Sequence, residues 1–305
     1  MKLKKIVQMA TNKDNFTDLN GYINFCRTYL AYISENLQAV IVSQNENYYN
    51  FYQYGSDGDF QITRPINSNL MYDINAFDKI GKEFTKLLKS AKEIGTENLD
   101  QRNTLLNSVY TIQQSIGAAL DGLQAGKSNT ARKLNGDLFE NFIRLVIREI
   151  GIDCRAGVVQ IPVIINGEKL FDMSYHHDLI IENEENIQVI GSIKTSSKDR
   201  IDKIFIDKFL YTKLTETQIP YIAIFLNDVQ RKNTRRENEY GINSTFLPGH
   251  FKGYTVKLNP LDGVYYCDIR PNMTTDPFLH KHIRTIDHFF CSDLWRFVKR
   301  RKREK

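Results

Sequence analysis

Two apolar runs, 177–181 and 187–194, carry a carboxylate and an amine that are suited to hold a cation and a phosphate together. Asp178 lies in the first run, and Lys194 ends the second. In an antiparallel hairpin the numbers of facing residues sum to a constant, so a turn centred at residue 185 sets Asp178 opposite residues 191 to 194. The spacing therefore predicts that the two side chains meet at one rim of a sheet.

These residue types fit phosphodiester hydrolysis. That reaction needs a divalent cation to polarise the phosphate and lower the pKa of an attacking water, and Mg²⁺ prefers oxygen ligands. Asp178 would supply one ligand and the main-chain carbonyl of Ile193 a second. Lys194 would orient the water or stabilise charge on the phosphoryl oxygens, or bind phosphate as a point charge. Because strand side chains alternate, Ser192 shares the face of Lys194, and Ile193 takes the other.

This segment resembles the PD-(D/E)XK nucleases. In that family an Asp at the start of a strand is followed by a short hairpin and by an acid-x-Lys on the next strand. The resemblance covers residues 134–226 and implies an α/β fold, a mixed sheet flanked by helices. Ser192 stands at the family's second acidic position. Some restriction enzymes of this superfamily also lack an acid there and take the carboxylate from a neighbouring helix. The resemblance therefore favours a type II restriction endonuclease.

Two acids are candidates for the missing metal ligand. Glu140 lies beside the apolar stripe of the helix before the sheet, and Asp207 lies 13 positions after Lys194 on the next helix. Each lies in an apolar stretch, where a carboxylate needs a partner or a metal. The resemblance favours Glu140 over Asp207. The alternative for Glu140 is a salt bridge to Arg144 at i+4.

Asp178 and Lys194 also have an alternative interpretation that involves no catalysis. Asp178 and Lys194 would then form a cross-strand ion pair at a sheet edge. The next segment carries Lys198 and Arg200 before a helical pattern over 201–214. A helix start with basic side chains suits a phosphate backbone, and the alternative is a solvated cap.

Flanking segments predict further elements. Asn166-Gly167 and Asp262-Gly263 are two-residue hairpin signals. Residues 219–226 predict a buried strand that begins at a proline, and residues 283–298 predict a closing helix.

Three regions are predicted along the chain. Residues 1–127 form a mainly helical accessory region for dimerisation or DNA contacts, with helices near 19–42, 76–94 and 99–123. Tyr and Asn crowd residues 45–54, where they would contact DNA or a partner, or form a strand. Residues 128–298 form the endonuclease-like domain, and 299–305 form a basic tail.

The position of the charge matters more than its total. The net charge is +5. The tail 299–305 holds six basic residues and one acidic residue, so the rest of the chain has a formal net charge of zero. Such a tail is usually solvated. The cationic loop 231–236 is better placed to contact DNA, through Arg231, Lys232, Arg235 and Arg236. A solvent-exposed loop is the equal alternative.

Several protein classes are disfavoured. No apolar run approaches the ~20 residues of a membrane helix and no signal peptide is evident, so we expect a cytoplasmic protein without membrane contact. The four cysteines contain no C-x-x-C pair, which disfavours structural zinc and a disulfide scaffold. Gly126-Lys127-Ser128 lacks the rest of a P-loop, so we expect no nucleotide cofactor.

The sequence thus predicts a Mg²⁺-dependent endonuclease that cuts double-stranded DNA at a short specific site. Asp178, Lys194 and Ser192 are its candidate catalytic residues, and Lys198, Arg200 and the loop 231–236 are its candidate DNA contacts. Cutting both strands of a symmetric site favours a homodimer. The alternatives are a repair or junction nuclease of the same fold and a non-catalytic, sequence-specific DNA-binding protein.

Overall fold

The computed structural model describes residues 1–55, 61–124, 126–183, 186–198, 200–236 and 238–299. The helices are α1 Leu3–Thr11, α2 Leu19–Asn36, α3 Ile74–Lys89, α4 Leu99–Leu120, α5 Ser128–Glu149, α6 Ile201–Thr215, α7 Pro248–Lys257, α8 Pro271–Thr275, α9 Pro277–His282, α10 Ile286–His288 and α11 Leu294–Lys299. The strands are β1 Leu37–Val42, β2 Tyr49–Tyr54, β3 Gln61–Ile62, β4 Ile66–Asn67, β5 Cys154–Ile165, β6 Glu168–Asn183, β7 Asn186–Ser196, β8 Tyr221–Asn227, β9 Val229–Asn233, β10 Tyr240–Ser244, β11 Gly263–Tyr266 and β12 Ile283–Thr285.

A mixed sheet forms the centre of the fold. Its described strands run in the order β12-β11-β8-β7-β6-β5. The β5–β6–β7 half is antiparallel, and the β7–β8–β11–β12 half is parallel. One face packs on α5 through Phe139, Phe142 and Ile143, and the other packs on α6 through Ile204 and Phe205. The predicted class, a mixed sheet flanked by helices, is confirmed.

The hairpins of the antiparallel half follow their turn signals. Asn166 and Gly167 join β5 to β6 with φ of 52° and 83°, the positive values that this two-residue turn requires. Leu179 pairs with Gly191 across β6 and β7, which is the register predicted from a turn centred at residue 185. Residues 184 and 185 themselves lie outside the described residues.

Other sequence predictions were wrong in part. Gly263 begins β11, which pairs in parallel with β8, so Asp262-Gly263 is not a hairpin turn. Asp262 instead accepts hydrogen bonds from Lys208 Nζ at 2.7 Å and from the Tyr221 amide at 2.8 Å. The predicted helix 283–298 begins with the short strand β12, and the predicted helix 19–42 ends at Asn36, where β1 follows.

The N-terminal region contains helices and a small sheet of β1–β4. Within the crowded segment 45–54, Tyr49, Phe51 and Tyr54 are fully buried, so the strand interpretation holds. One apolar cluster extends from Ile6 to Phe297 across residue 127. The boundary at 127 stays a prediction, and residues 300–305 of the basic tail lie outside the described residues. None of the helices in the described part of the chain has the length and apolar character needed to span a membrane.

A buried carboxylate joins the small sheet to the main sheet. Asp268, directly after β11, accepts hydrogen bonds from the Tyr49 hydroxyl and from Asn67 Nδ2, each at 2.8 Å. Burial raises the pKa of Asp268 from 3.8 to about 7.

We expect this carboxyl to make stability depend on pH. Above pH 4 the unfolded chain has released a proton that folded Asp268 retains, so the free energy of unfolding should fall by roughly 2 to 3 kcal/mol between pH 5 and pH 8. Asp268→Asn should flatten that slope in urea unfolding, and Asp153→Asn, at an exposed position, should preserve it. Equal slopes for wild type and Asp268→Asn would contradict the assignment.

Candidate active site

A β-bulge lies at Asp178. Arg155 pairs with Ile180 and Gly157 pairs with His177, so two residues of β6 stand opposite one residue of β5. The bulge reverses the alternation of β6: Tyr175 packs in the α6-side cluster, whereas Leu179 packs in the α5-side cluster. Bulges re-aim side chains in this way.

The backbone pairing of β6 with β7 ends at Leu179 and Gly191, although β7 continues to Ser196. Beyond that pair, Asp178 Oδ2 accepts the amide of Ile193 at 2.9 Å. A carboxylate thus replaces the missing strand carbonyl. Since the N–H and C=O of one residue lie on the same edge of a strand, the carbonyl of Ile193 is also presented toward Asp178.

Lys194 bridges two carboxylates. Its Nζ lies 2.6 Å from Asp178 Oδ2 and 2.9 Å from Glu140 Oε1. The side chain of Asp178 is 7% exposed, that of Glu140 20% and that of Lys194 30%. The predicted meeting of Asp178 and Lys194 at one rim is therefore observed, and Glu140 of α5 joins them.

The charges at this rim are strongly coupled. Burial, and then the nearby Asp178, raise the pKa of Glu140 above its usual value. Burial alone would lower the pKa of Lys194, but the two carboxylates outweigh it and raise that pKa. The ammonium of Lys194 partly offsets the rise in the pKa of Glu140, as an opposite charge next to a carboxyl does.

The other candidate residues make different contacts. Ser192 lies near Tyr221 and partly offsets the rise that burial causes in the pKa of the Tyr221 hydroxyl. Asp207 pairs with Lys203 one turn earlier on α6, at 2.5 Å, and is not part of the contacts that join Glu140 to Lys194. His177 is buried against tyrosine rings, and burial lowers its pKa to about 4.

The predicted DNA contacts are exposed near the same end of the sheet. Lys198 and Arg200 lie between β7 and α6, and Lys198 Nζ donates to Gln230 Oε1 at 3.2 Å. Arg231 and Lys232 lie on β9 rather than in a loop. The last two, Arg235 and Arg236, lie in the segment between β9 and β10.

A cleft of about 420 Å³ is lined in part by the two residues that follow Lys194 in the chain. Thr195 and Ser196 of β7 line it, together with basic or polar side chains that the sequence interpretation passed over: Lys127, Arg132, Asn135 and Gln230. Arg231 lines it as well. The basic residues at the start of α5 were visible in the sequence. No local sequence pattern, however, predicts that the start of α5 lies beside the end of β7.

The donor set at the rim fits a hard divalent cation. Asp178, Glu140 and the Ile193 carbonyl offer oxygen atoms, the ligands that Mg²⁺ prefers, and the two acids already share one positive charge. Within the described ranges no group of three or more His, Cys, Asp and Glu side chains is arranged to hold a metal. A protein ligand set of three at this rim would therefore have to include the backbone carbonyl.

Comparisons with known proteins include a structural similarity and a weak sequence similarity. No protein-family model matches the sequence. Protein HflC of Buchnera aphidicola subsp. Baizongia pistaciae is 24% identical over 245 residues, which cover 75% of this chain and 71% of that protein. The crystal structure of the Type IIP restriction endonuclease Kpn2I superposes with a TM-score of 0.71 and 18% identity over 97% of each chain. The chain therefore has a restriction-endonuclease-like fold.

Removing the shared cation should destabilise the protein. Lys194→Met leaves Asp178 and Glu140 facing each other without their common partner, so we expect the free energy of unfolding at pH 8 to fall by about 3 kcal/mol. The matched control Lys203→Met removes the exposed lysine that pairs with Asp207 on α6 and should cost less than about 1 kcal/mol. Urea unfolding measures both, and equal losses would argue against a coupled cluster.

Proposed function

We propose that the protein is a type II restriction endonuclease, which hydrolyses phosphodiester bonds in double-stranded DNA at a short specific sequence with the help of Mg²⁺. The convergence of Asp178, Glu140 and Lys194 at the rim of a restriction-endonuclease-like sheet carries this proposal. Two carboxylates and a lysine beside a polar cleft suit metal-assisted phosphate chemistry.

Asp178, Glu140 and the Ile193 carbonyl would hold the Mg²⁺. When bound, the ion polarises the scissile phosphate and makes the attacking water more acidic. The Ile193 amide keeps the Asp178 carboxylate in one orientation through their 2.9 Å bond, which lowers the cost of arranging ligands around a small ion with strict geometry. Asp207, paired with Lys203, is the weaker ligand candidate.

Lys194 provides the positive charge for the reaction. Because its pKa is raised, it remains an ammonium at neutral pH and stabilises negative charge that develops on the phosphoryl oxygens. The contacts of Lys194 with Asp178 and Glu140 would hold this charge at the rim before DNA binds. Ser192 supplies no charge, so the carboxylate that it lacks would come from Glu140 on α5, which contacts Lys194.

The DNA would follow the basic cleft away from this rim. Arg132 and Arg231 line its walls, and the exposed Lys198, Arg200, Lys232, Arg235 and Arg236 extend the positive surface. Arginine reads guanine edges as well as phosphates. Two copies of the chain, one for each strand of a symmetric site, form the proposed homodimer.

Plasmid cleavage tests the proposal directly. Wild-type protein with Mg²⁺ should give discrete fragments, and Asp178→Ala should leave the plasmid intact while circular dichroism shows an unchanged fold. Smearing would favour a less selective nuclease, such as a repair or junction enzyme. An intact plasmid that shifts in a gel would favour a sequence-specific binding protein without catalysis.

The two helix acids should differ in their effect on metal dependence. Glu140→Gln removes a proposed ligand, so the Mg²⁺ concentration for half-maximal cleavage should rise at least tenfold. Asp207→Asn breaks only the pair with Lys203 and should change it less than threefold. Titrating Mg²⁺ at fixed DNA concentration measures both, and the reverse order would move the metal ligand to α6.

A further inference from the structure

Helix α5 contacts three consecutive strands through one row of side chains. Glu140, Arg144 and Arg148 are spaced at i, i+4 and i+8, so they lie on one face of the helix. Glu140 binds Lys194 of β7 at 2.9 Å. Arg144 Nη1 donates to the backbone carbonyl of Asp178 in β6 at 2.9 Å. Arg148 donates to the carbonyl of Cys154 in β5 through Nε at 3.1 Å and Nη2 at 2.7 Å.

The hydrogen bond from Arg144 is made to a residue of the β-bulge. Asp178 is one of the two β6 residues that oppose a single residue of β5, and its backbone pairing with β7 has already ended. A bulged residue leaves the local ladder disrupted, so its carbonyl depends on a side-chain donor. A charged guanidinium is a strong and directional one.

The same arginine follows Glu140 by one helical turn. The bond from Arg144 to Asp178 therefore ties the segment that carries one carboxylate to the segment that carries the other. It also fixes the peptide from which the Asp178 side chain reaches the Ile193 amide. The salt bridge between Glu140 and Arg144 that the sequence admitted is replaced by these contacts to the sheet.

We infer that Arg144 is a positioning residue: by holding the bulged carbonyl of Asp178 it sets the separation and orientation of the two carboxylates that would share the metal. This inference rests on the proposed function for its catalytic consequence. Its structural part stands on the hydrogen bond alone and is measured separately.

Arg148 provides a matched control. It is an arginine on the same face of the same helix and makes the same kind of bond, to a strand carbonyl remote from Lys194. A role in general helix docking would make the two arginines equivalent. A role in placing Asp178 is specific to Arg144.

Amide hydrogen exchange of the full-length protein tests the structural part. In Arg144→Met the Asp178 carboxylate should lose its fixed position, so exchange at the Ile193 amide should accelerate at least tenfold over wild type. Arg148→Met should leave it within threefold. If Arg144→Met does not fold, Arg144→Gln provides the same comparison. Unchanged exchange at Ile193, or equal acceleration in the Arg148 variant, would overturn the inference.

Calcium binding and single-turnover cleavage test the consequence. Arg144→Met should weaken Ca²⁺ binding in calorimetry at least tenfold and slow cleavage at saturating DNA about a hundredfold, with the DNA dissociation constant within threefold. Arg144→Lys should restore part of each loss, and Arg148→Met should match wild type. Wild type that never cleaves DNA would refute the proposed function. An active wild type with equal Arg144 and Arg148 variants would refute only the role of Arg144.

Discussion

The constraint on which this structure depends is the placement of one ammonium between two carboxylates at the rim of a sheet. Lys194, Asp178 and Glu140 come from two strands and a helix, and each is largely removed from water. A buried charge without its partner is costly. The strands and α5 therefore have to dock so that the two carboxylates stay within hydrogen-bonding distance of Lys194.

That requirement explains how firmly α5 is held. Its apolar stripe packs on the sheet through Phe139, Phe142 and Ile143, while the N-terminal region contacts its other side. Tyr22 of α2 stacks on Phe142 with ring centroids 4.9 Å apart, and its hydroxyl donates to the carbonyl of Leu138. The helical region thus supports the element that carries Glu140, a role that follows from packing rather than from its own chemistry.

Local signals predicted the parts of the fold that local interactions decide. Turn geometry fixes hairpin register, so the approach of Asp178 to Lys194 followed from residue numbers. The choice between Glu140 and Asp207 depends on which helix docks over the end of β7, which spacing within a helix cannot reveal. The Asp262-Gly263 signal failed because parallel pairing with β8 and the bond to Lys208 override the turn preference. The bulge at Asp178 left no pattern in the sequence.

The serine at position 192 links these observations. When the second acid lies on the same strand as the lysine, one hairpin carries both acids and the amine and fixes their geometry. Here the second carboxylate that contacts Lys194 belongs to α5, so its distance from Asp178 is set by helix docking. An extra tether between α5 and the bulged strand then becomes useful, because packing of apolar side chains alone tolerates small shifts of a helix along a sheet, whereas a directional bond to one carbonyl does not. The position of Arg144, one turn after Glu140, meets that need.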